Sequence, residues 1–219
     1  MFIIEGNIGA GKSTFLRLIA ENLKEATVAL EPLQDWQKSF NGVNILDNFY
    51  SDPKRWAYTL ETLTLMSRVK EHIKEQGSSN RFHLVERSIY SGHYCFAKNC
   101  YETGLLSDLE YKIYLEFFNL LILKRCQPPK GFIYLKVSPE VAIERIKKRN
   151  RSSESLIPIS YIEQIDQKHE EFLIKKLGVI EDLKSVPVLV INCDQEFENN
   201  GPRLKSICEE VYNFMSNII

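Results

Sequence analysis

Three glycines precede a lysine and a serine in the run Gly6-Asn7-Ile8-Gly9-Ala10-Gly11-Lys12-Ser13, a spacing suited to holding phosphate. Glycines let successive backbone N–H groups turn inward around an anion. Lys12 would reach β- and γ-phosphates as a point charge, and the Ser13 hydroxyl would join a Mg²⁺ shell. Gly6, Asn7, Ile8, Gly9, Ala10, Gly11, Lys12, Ser13 and Thr14 are therefore the candidate nucleotide cradle. Phosphoryl transfer also needs a base or positioner for the attacking hydroxyl, a carboxylate for the metal and a cation on the moving group. Glu31, Glu86 and Arg87 offer one candidate for each. Glu31 would accept the hydroxyl proton, Glu86 would hold Mg²⁺ directly or through water, and Arg87 would stabilise the phosphoryl. Alone, such a glutamate reads as a solvated loop carboxylate, and only the shared scaffold favours chemistry.

That scaffold must bring the candidates to one edge. Met1 to Glu5 reads as a buried strand, and Lys12 opens a helix whose dipole adds positive potential at the cradle. Thr27 to Leu30 reads as a second strand stopped by Glu31-Pro32, because proline holds the preceding residue extended. Phe82 to Val85 is the next strand, with Glu86 and Arg87 at its end; Phe132 to Val137 and Val186 to Ile191 complete about five. Between them lie a short helix from Val43 to Tyr50 and long ones over 54–74, 90–101, 107–125, 158–176 and 202–215. Ser138-Pro139-Glu140 predicts an N-cap with proline at the first helical position. Alternating strands and helices predict an α/β fold, a parallel sheet covered by helices on both faces. Ligands of such sheets bind at the carboxyl ends of the strands, which is where Glu31, Glu86 and Arg87 fall.

The 219 residues suit a single domain, 1–219, with no linker or internal repeat in the sequence. A net charge of −1 gives no electrostatic case for nucleic acid or a membrane surface, so neither is expected as a partner. Apolar runs are too interrupted for a transmembrane helix, and with the cradle beginning at Gly6 no signal or transit peptide is expected in the chain as given. Cys95, Cys100, Cys126, Cys193 and Cys208 are scattered, as are the four histidines, which predicts reduced thiols in a cytoplasmic protein and no structural metal.

Arg145, Arg149 and Arg151 predict an arginine-bearing lid, at about 145–157, closing over ATP. Lys147 and Lys148 between them read as a solvated face. Trp36, Phe49, Tyr50 and Phe96 read either as core or as a base-stacking pocket.

The cradle, Glu31-Pro32-Leu33-Gln34-Asp35-Trp36, Asn41 to Leu46, Asp52-Pro53-Lys54-Arg55-Trp56 and Glu86-Arg87-Ser88-Ile89-Tyr90-Ser91 together resemble the deoxynucleoside kinases. The likeness runs on through Ser138 to Ala142 and the lid to Tyr161, almost the whole chain. The resemblance implies a P-loop kinase, usually a homodimer, moving the γ-phosphoryl of ATP to the 5′-hydroxyl of a deoxynucleoside with Mg²⁺. It implies that Glu31 is the base, that Arg87 contacts both that carboxylate and the phosphoryl, and that Glu86 binds magnesium. It implies further that Tyr50 and Glu154 hold the sugar 3′-hydroxyl and that Trp36, Leu46, Phe49 and Phe96 wall the base. Arg145, Arg149 and Arg151 match the lid arginines, and Glu196 and Phe197 lie in the loop that touches the donor's adenine.

Two departures bear on the base. Glu61 stands where the family has a glutamine, and an ionised glutamate only accepts. Arg68, seven residues on, matches an arginine of the deoxycytidine and purine kinases, but its acidic companion is replaced by Gly92. A Glu61–Arg68 pair is therefore expected, suiting guanine best and favouring deoxyguanosine, deoxycytidine and deoxyadenosine over thymidine. A nucleoside monophosphate kinase like thymidylate kinase, and a catalytically silent nucleotide-binding subunit, remain as alternatives. The first would need extra cations for the acceptor's phosphate; the second usually lacks the cradle lysine or the base.

Overall fold

The computed structural model describes residues 1–31, 44–151, 154 and 157–219; Trp36 lies outside the described residues. Five strands, β1 (Phe2–Glu5), β2 (Ala26–Ala29), β3 (Phe82–Glu86), β4 (Gly131–Lys136) and β5 (Val188–Asn192), form one parallel sheet in the order β2-β3-β1-β4-β5. The alternation of strand side chains sorts the core into two layers. Phe2, Ile4, Ile133 and Leu135 point to one face, where they meet the helices α1 (Lys12–Asn22) and α10 (Gly201–Ile218). Ile3, Phe132 and Tyr134 point to the other, against α3 (Pro53–Glu75) and α6 (Asp108–Arg125).

Cap chemistry places the helix starts. Asn44 accepts from the N–H groups of Leu46 and Asp47 and so opens α2 (Ile45–Ser51); Asp52 accepts from Arg55 at the start of α3. Ser107 and Glu110 close a reciprocal capping box on α6. The helix expected over 90–101 forms in three parts: α4 (Ile89–Ser91), a π-helical turn (Gly92–Ala97) and α5 (Lys98–Glu102). The wider turn carries Phe96, and such turns recur at functional sites.

The remaining helices are α7 (Pro139–Arg149), α8 (Ile159–His169), which continues as a π-helical stretch Glu170–Ile174, and α9 (Glu181–Lys184), which the sequence pattern missed. Two local expectations need correction. Leu30 is 57% exposed and lies beyond β2. Ser138 occupies the N-cap position of α7, but its side chain makes no capping bond; its N–H donates to Asp194 Oδ1 at 2.6 Å, a partner 56 residues away. All five cysteines are free thiols, four of them buried. Among the described residues no helix is long and apolar enough to cross a membrane.

Candidate active site

The cradle follows directly from β1. Gly6, Gly9 and Gly11 have φ of 148°, 82° and 89°. A Cβ on Gly6 would lie 2.6 Å from the Leu135 carbonyl oxygen, and one on Gly9 2.4 Å from that of Ala142, so neither position has room for a side chain. Asn7 pins the loop: its Nδ2 donates to Ile162 O at 2.8 Å and its Oδ1 accepts from the Ile8 N–H at 2.8 Å. Lys12 is buried at the first position of α1 and donates from Nζ to Gly6 O (3.1 Å) and Asn7 O (2.9 Å). Burial and then the Arg87 charge pull its pKa down to about 7, against the opposing pull of Glu86, Glu31 and Glu5. The Ser13 hydroxyl donates to Glu86 at 2.9 Å, joining the cradle to the end of β3.

Arg87, just past β3, is held left-handed at φ 60°, an uncommon conformation for a side-chain-bearing residue. Its N–H donates to Ile4 O (2.9 Å), Nη2 donates to Gly6 O (3.2 Å), and Nε lies 3.5 Å from Glu31 Oε2. Nη1 is buried without a hydrogen-bond partner among the described residues, and the guanidinium lies 4.7 Å from the centre of the Phe96 ring. Below it, Glu5 accepts from the Ser88 N–H at 3.0 Å and from the Ser88 hydroxyl; burial raises its pKa despite Arg87. Glu31 Oε1 accepts from Arg68 Nη2 (2.7 Å) and Nε (3.2 Å), and the Glu31 N–H donates to Glu86 Oε2 (3.4 Å). Burial alone would raise the Glu31 pKa, but Arg68, Arg87 and Lys12 outweigh it and hold the carboxyl below its ordinary value.

These groups share one cavity at the carboxyl edge of the sheet. Lys12, Ser13, Glu31, Glu86 and Arg87 line it together with Leu46, Phe49, Tyr50, Glu61, Arg68, Phe96, Arg149, Arg151 and Glu154. Glu154 accepts from Arg149 Nη2 (2.5 Å) and Arg151 Nη1 (3.3 Å), which ties the two lid arginines to the cavity wall. Burial first, then the Glu154 charge, raises the Tyr50 pKa, so these two expected sugar-binding residues are electrostatic neighbours. Ile8 of the cradle lines the cavity as well, and so do Leu60, Thr64 and Tyr161, which were not picked out. Leu60 and Thr64 flank Glu61 at helical spacing and could have been found; Tyr161 comes from α8 and left no local signal.

The expected Glu61–Arg68 pair does not form. Arg68 pairs with Glu31, and its Nη1 lies so close to Gly92 that a Cβ there would come within 2.7 Å. Glu61 is left with the Cys100 thiol at 3.9 Å, and burial pushes its pKa up to about 7, against the pull of Arg68 and Cys100.

A second opening at the cradle is lined by Gly9, Gly11, Thr14, Arg145, Arg149, Glu196 and Phe197. Arg145 lies within α7 and donates from Nη2 to Cys193 O (2.7 Å); it lines this opening and not the first. Phe197 is buried, edge-on to Phe15 at 6.1 Å. Lys148, read as part of a solvated face, lines this opening too, because α7 turns it toward the cradle.

A phosphate cradle at a strand–helix junction, with carboxylates and arginines at the neighbouring strand ends over one cavity, defines a P-loop phosphotransferase. The deoxynucleoside kinase family model matches residues 2–216. The mitochondrial deoxyguanosine kinase of Xenopus laevis is 36% identical, over 98% of this chain and 89% of its own. Deoxycytidine kinase 2 of Gallus gallus is 34% identical over 98% and 89%, and the mitochondrial thymidine kinase 2 of Homo sapiens 36% over 89% and 71%. The chain belongs to the deoxynucleoside kinase family and is a phosphotransferase that acts on deoxynucleosides.

Proposed function

We propose that the protein transfers the γ-phosphoryl of ATP to the 5′-hydroxyl of a deoxynucleoside, giving the 5′-monophosphate. The observation that carries this reading is the Glu31 carboxylate, held between Arg68 and Arg87 in the cavity that also reaches Lys12 and Ser13. Glu31 orients the acceptor hydroxyl and takes its proton as the bond to phosphorus forms. With its pKa held low it is ionised throughout the neutral range, and its weak basicity suits a loose transition state in which the proton moves late. Arg87 Nη1, without an acceptor among the described residues, and the Lys12 ammonium hold the oxygens of the moving group. The Ser13 hydroxyl and Glu86 carboxylate are hard oxygen donors of the number Mg²⁺ takes from a protein when phosphates and water complete its shell. When bound there, Mg²⁺ neutralises charge on the β- and γ-oxygens. The second opening, with Arg145, Glu196 and Phe197, takes the donor's adenosine end, and Tyr50 with Glu154 takes the sugar 3′-hydroxyl.

Deoxyguanosine, deoxycytidine and deoxyadenosine are preferred over thymidine, a reading supported by Arg68 on the cavity wall. The active form is a homodimer, a reading supported by the exposed Leu109, Ile113, Phe117 and Leu120 along α6. The test is phosphorylation of the four natural deoxynucleosides with ATP and Mg²⁺ by the wild type and by Glu31→Gln. The variant is expected to lose about 10²- to 10⁴-fold in kcat, the usual range for a general base. Unchanged kcat would overturn the assignment of Glu31, and exclusive use of 5′-monophosphates as acceptors would overturn the reaction.

A further inference from the structure

Glu61, in the middle of α3, is 3% exposed and lines the acceptor cavity. Its surroundings are unusual for a carboxyl. Along its own helix the guanidinium of Arg68 is engaged by Glu31 through Nη2 (2.7 Å) and Nε (3.2 Å), and pulls on Glu61 only from a distance. From α5 comes the Cys100 thiol, 3.9 Å from Oε1. From α2, α6 and α8 come the phenols of Tyr50, Tyr114 and Tyr161, each close enough to feel the Glu61 charge. Burial raises the pKa of the thiol and of all three phenols, so these neighbours stay neutral at ordinary pH.

We propose that Glu61 is a specificity-determining residue that reads the base in two forms, broadly as a neutral acid and selectively for guanine as a carboxylate. The neutral acid has one acceptor and one donor side by side and matches the adjacent donor and acceptor that every base presents. The carboxylate has two acceptors and needs two adjacent donors. Guanine, through N1–H and the 2-amino group, is the natural base that supplies them. The change between forms falls near pH 7, because burial holds the carboxyl protonated well above its ordinary range. This inference rests on the cavity being the deoxynucleoside site.

The measurement is the ratio of kcat/KM for deoxyguanosine to that for deoxyadenosine as a function of pH. Taking the ratio removes the titration of Lys12, Glu31 and the donor phosphates, which both acceptors share. With deoxyguanosine taken by both forms and deoxyadenosine by the neutral acid alone, the ratio scales as one plus the ionised-to-neutral ratio, so it is expected to rise by about tenfold from about pH 6 to about pH 8. Glu61→Gln fixes the donor–acceptor pattern of the neutral acid and should hold the ratio flat near the wild-type low-pH value. A readout without turnover is calorimetric binding of each deoxynucleoside, with no donor, in two buffers of different ionisation enthalpy. On the alkaline side of the change, deoxyadenosine should take up a proton on binding and deoxyguanosine should not. A flat wild-type ratio, a variant that keeps the wild-type slope, or deoxyadenosine binding without proton uptake would each overturn the proposal. Turnover with a flat ratio overturns this inference alone, whereas no turnover of any deoxynucleoside overturns the catalytic reading with it.

Discussion

Arg87 combines strain and function in one residue. A left-handed arginine costs on the order of 1–3 kcal/mol, and such strain persists only where the surroundings fix it. Here the N–H bond to Ile4 O, the Nη2 bond to Gly6 O and the ion pair with Glu31 fix it, which leaves Nη1 with no acceptor among the described residues. Arg87→Lys keeps the charge but loses the planar fork, so kcat is expected to fall by about 10²-fold or more while deoxynucleoside KM changes less. Steady-state kinetics check it; a KM effect with intact kcat would contradict the role. Glu61 supplies a stability prediction. Its pKa is raised in the folded protein to about 7, from the ordinary 4.5. The penalty for ionising it in place is therefore absent below about pH 4.5, grows as pH rises and is complete above about pH 7. Glu61→Gln should gain stability over the wild type across that window by about 1–3 kcal/mol, read by denaturant unfolding at several pH values.

At the scale of elements, the cradle depends on contacts made by other segments. Gly9→Ala would drive a Cβ into the Ala142 carbonyl oxygen of α7 at a φ of 82°. The expected result is a loss of about 1–3 kcal/mol in thermal unfolding, with a donor KM raised by tenfold or more because the loop must shift. The capping box on α6 is a purely local device. Ser107→Ala should cost about 1 kcal/mol and leave kcat unchanged, measured by thermal unfolding beside an activity assay.

Across the whole molecule, α6 presents Leu109, Ile113, Phe117 and Leu120 to solvent, at 68%, 40%, 42% and 57% exposure. Their spacing of four, four and three residues puts them on one face, a stripe that an isolated soluble chain rarely leaves uncovered. A second copy of the chain is the occupant proposed above. Sedimentation of the wild type should give a dimer, and Phe117→Glu with Leu120→Glu should shift it to monomer while leaving the fold intact. A wild-type monomer at micromolar concentration would overturn the assembly.

Much of this was legible in the sequence because it is governed by neighbours along the chain. Short continuous apolar runs marked the strands, glycine spacing marked the cradle, and Glu31, Glu86 and Arg87 could be placed at strand ends because a parallel sheet brings those ends together. The strand bounds moved by a residue or two, as when Leu30 fell outside β2. What the sequence could not decide was which of several compatible partners a group would meet. Arg68 is compatible with Glu61 on its own helix, yet it pairs with Glu31 at the end of β2, 37 residues away in sequence. Ser138 is a good capping residue, but its N–H is taken by Asp194. Tyr161 and Lys148 reach the cavities through the packing of α7 and α8. Local sterics and hydrogen bonding fix the elements, whereas the ionisation of Glu61 depends on burial by five helices that only the assembled structure brings together.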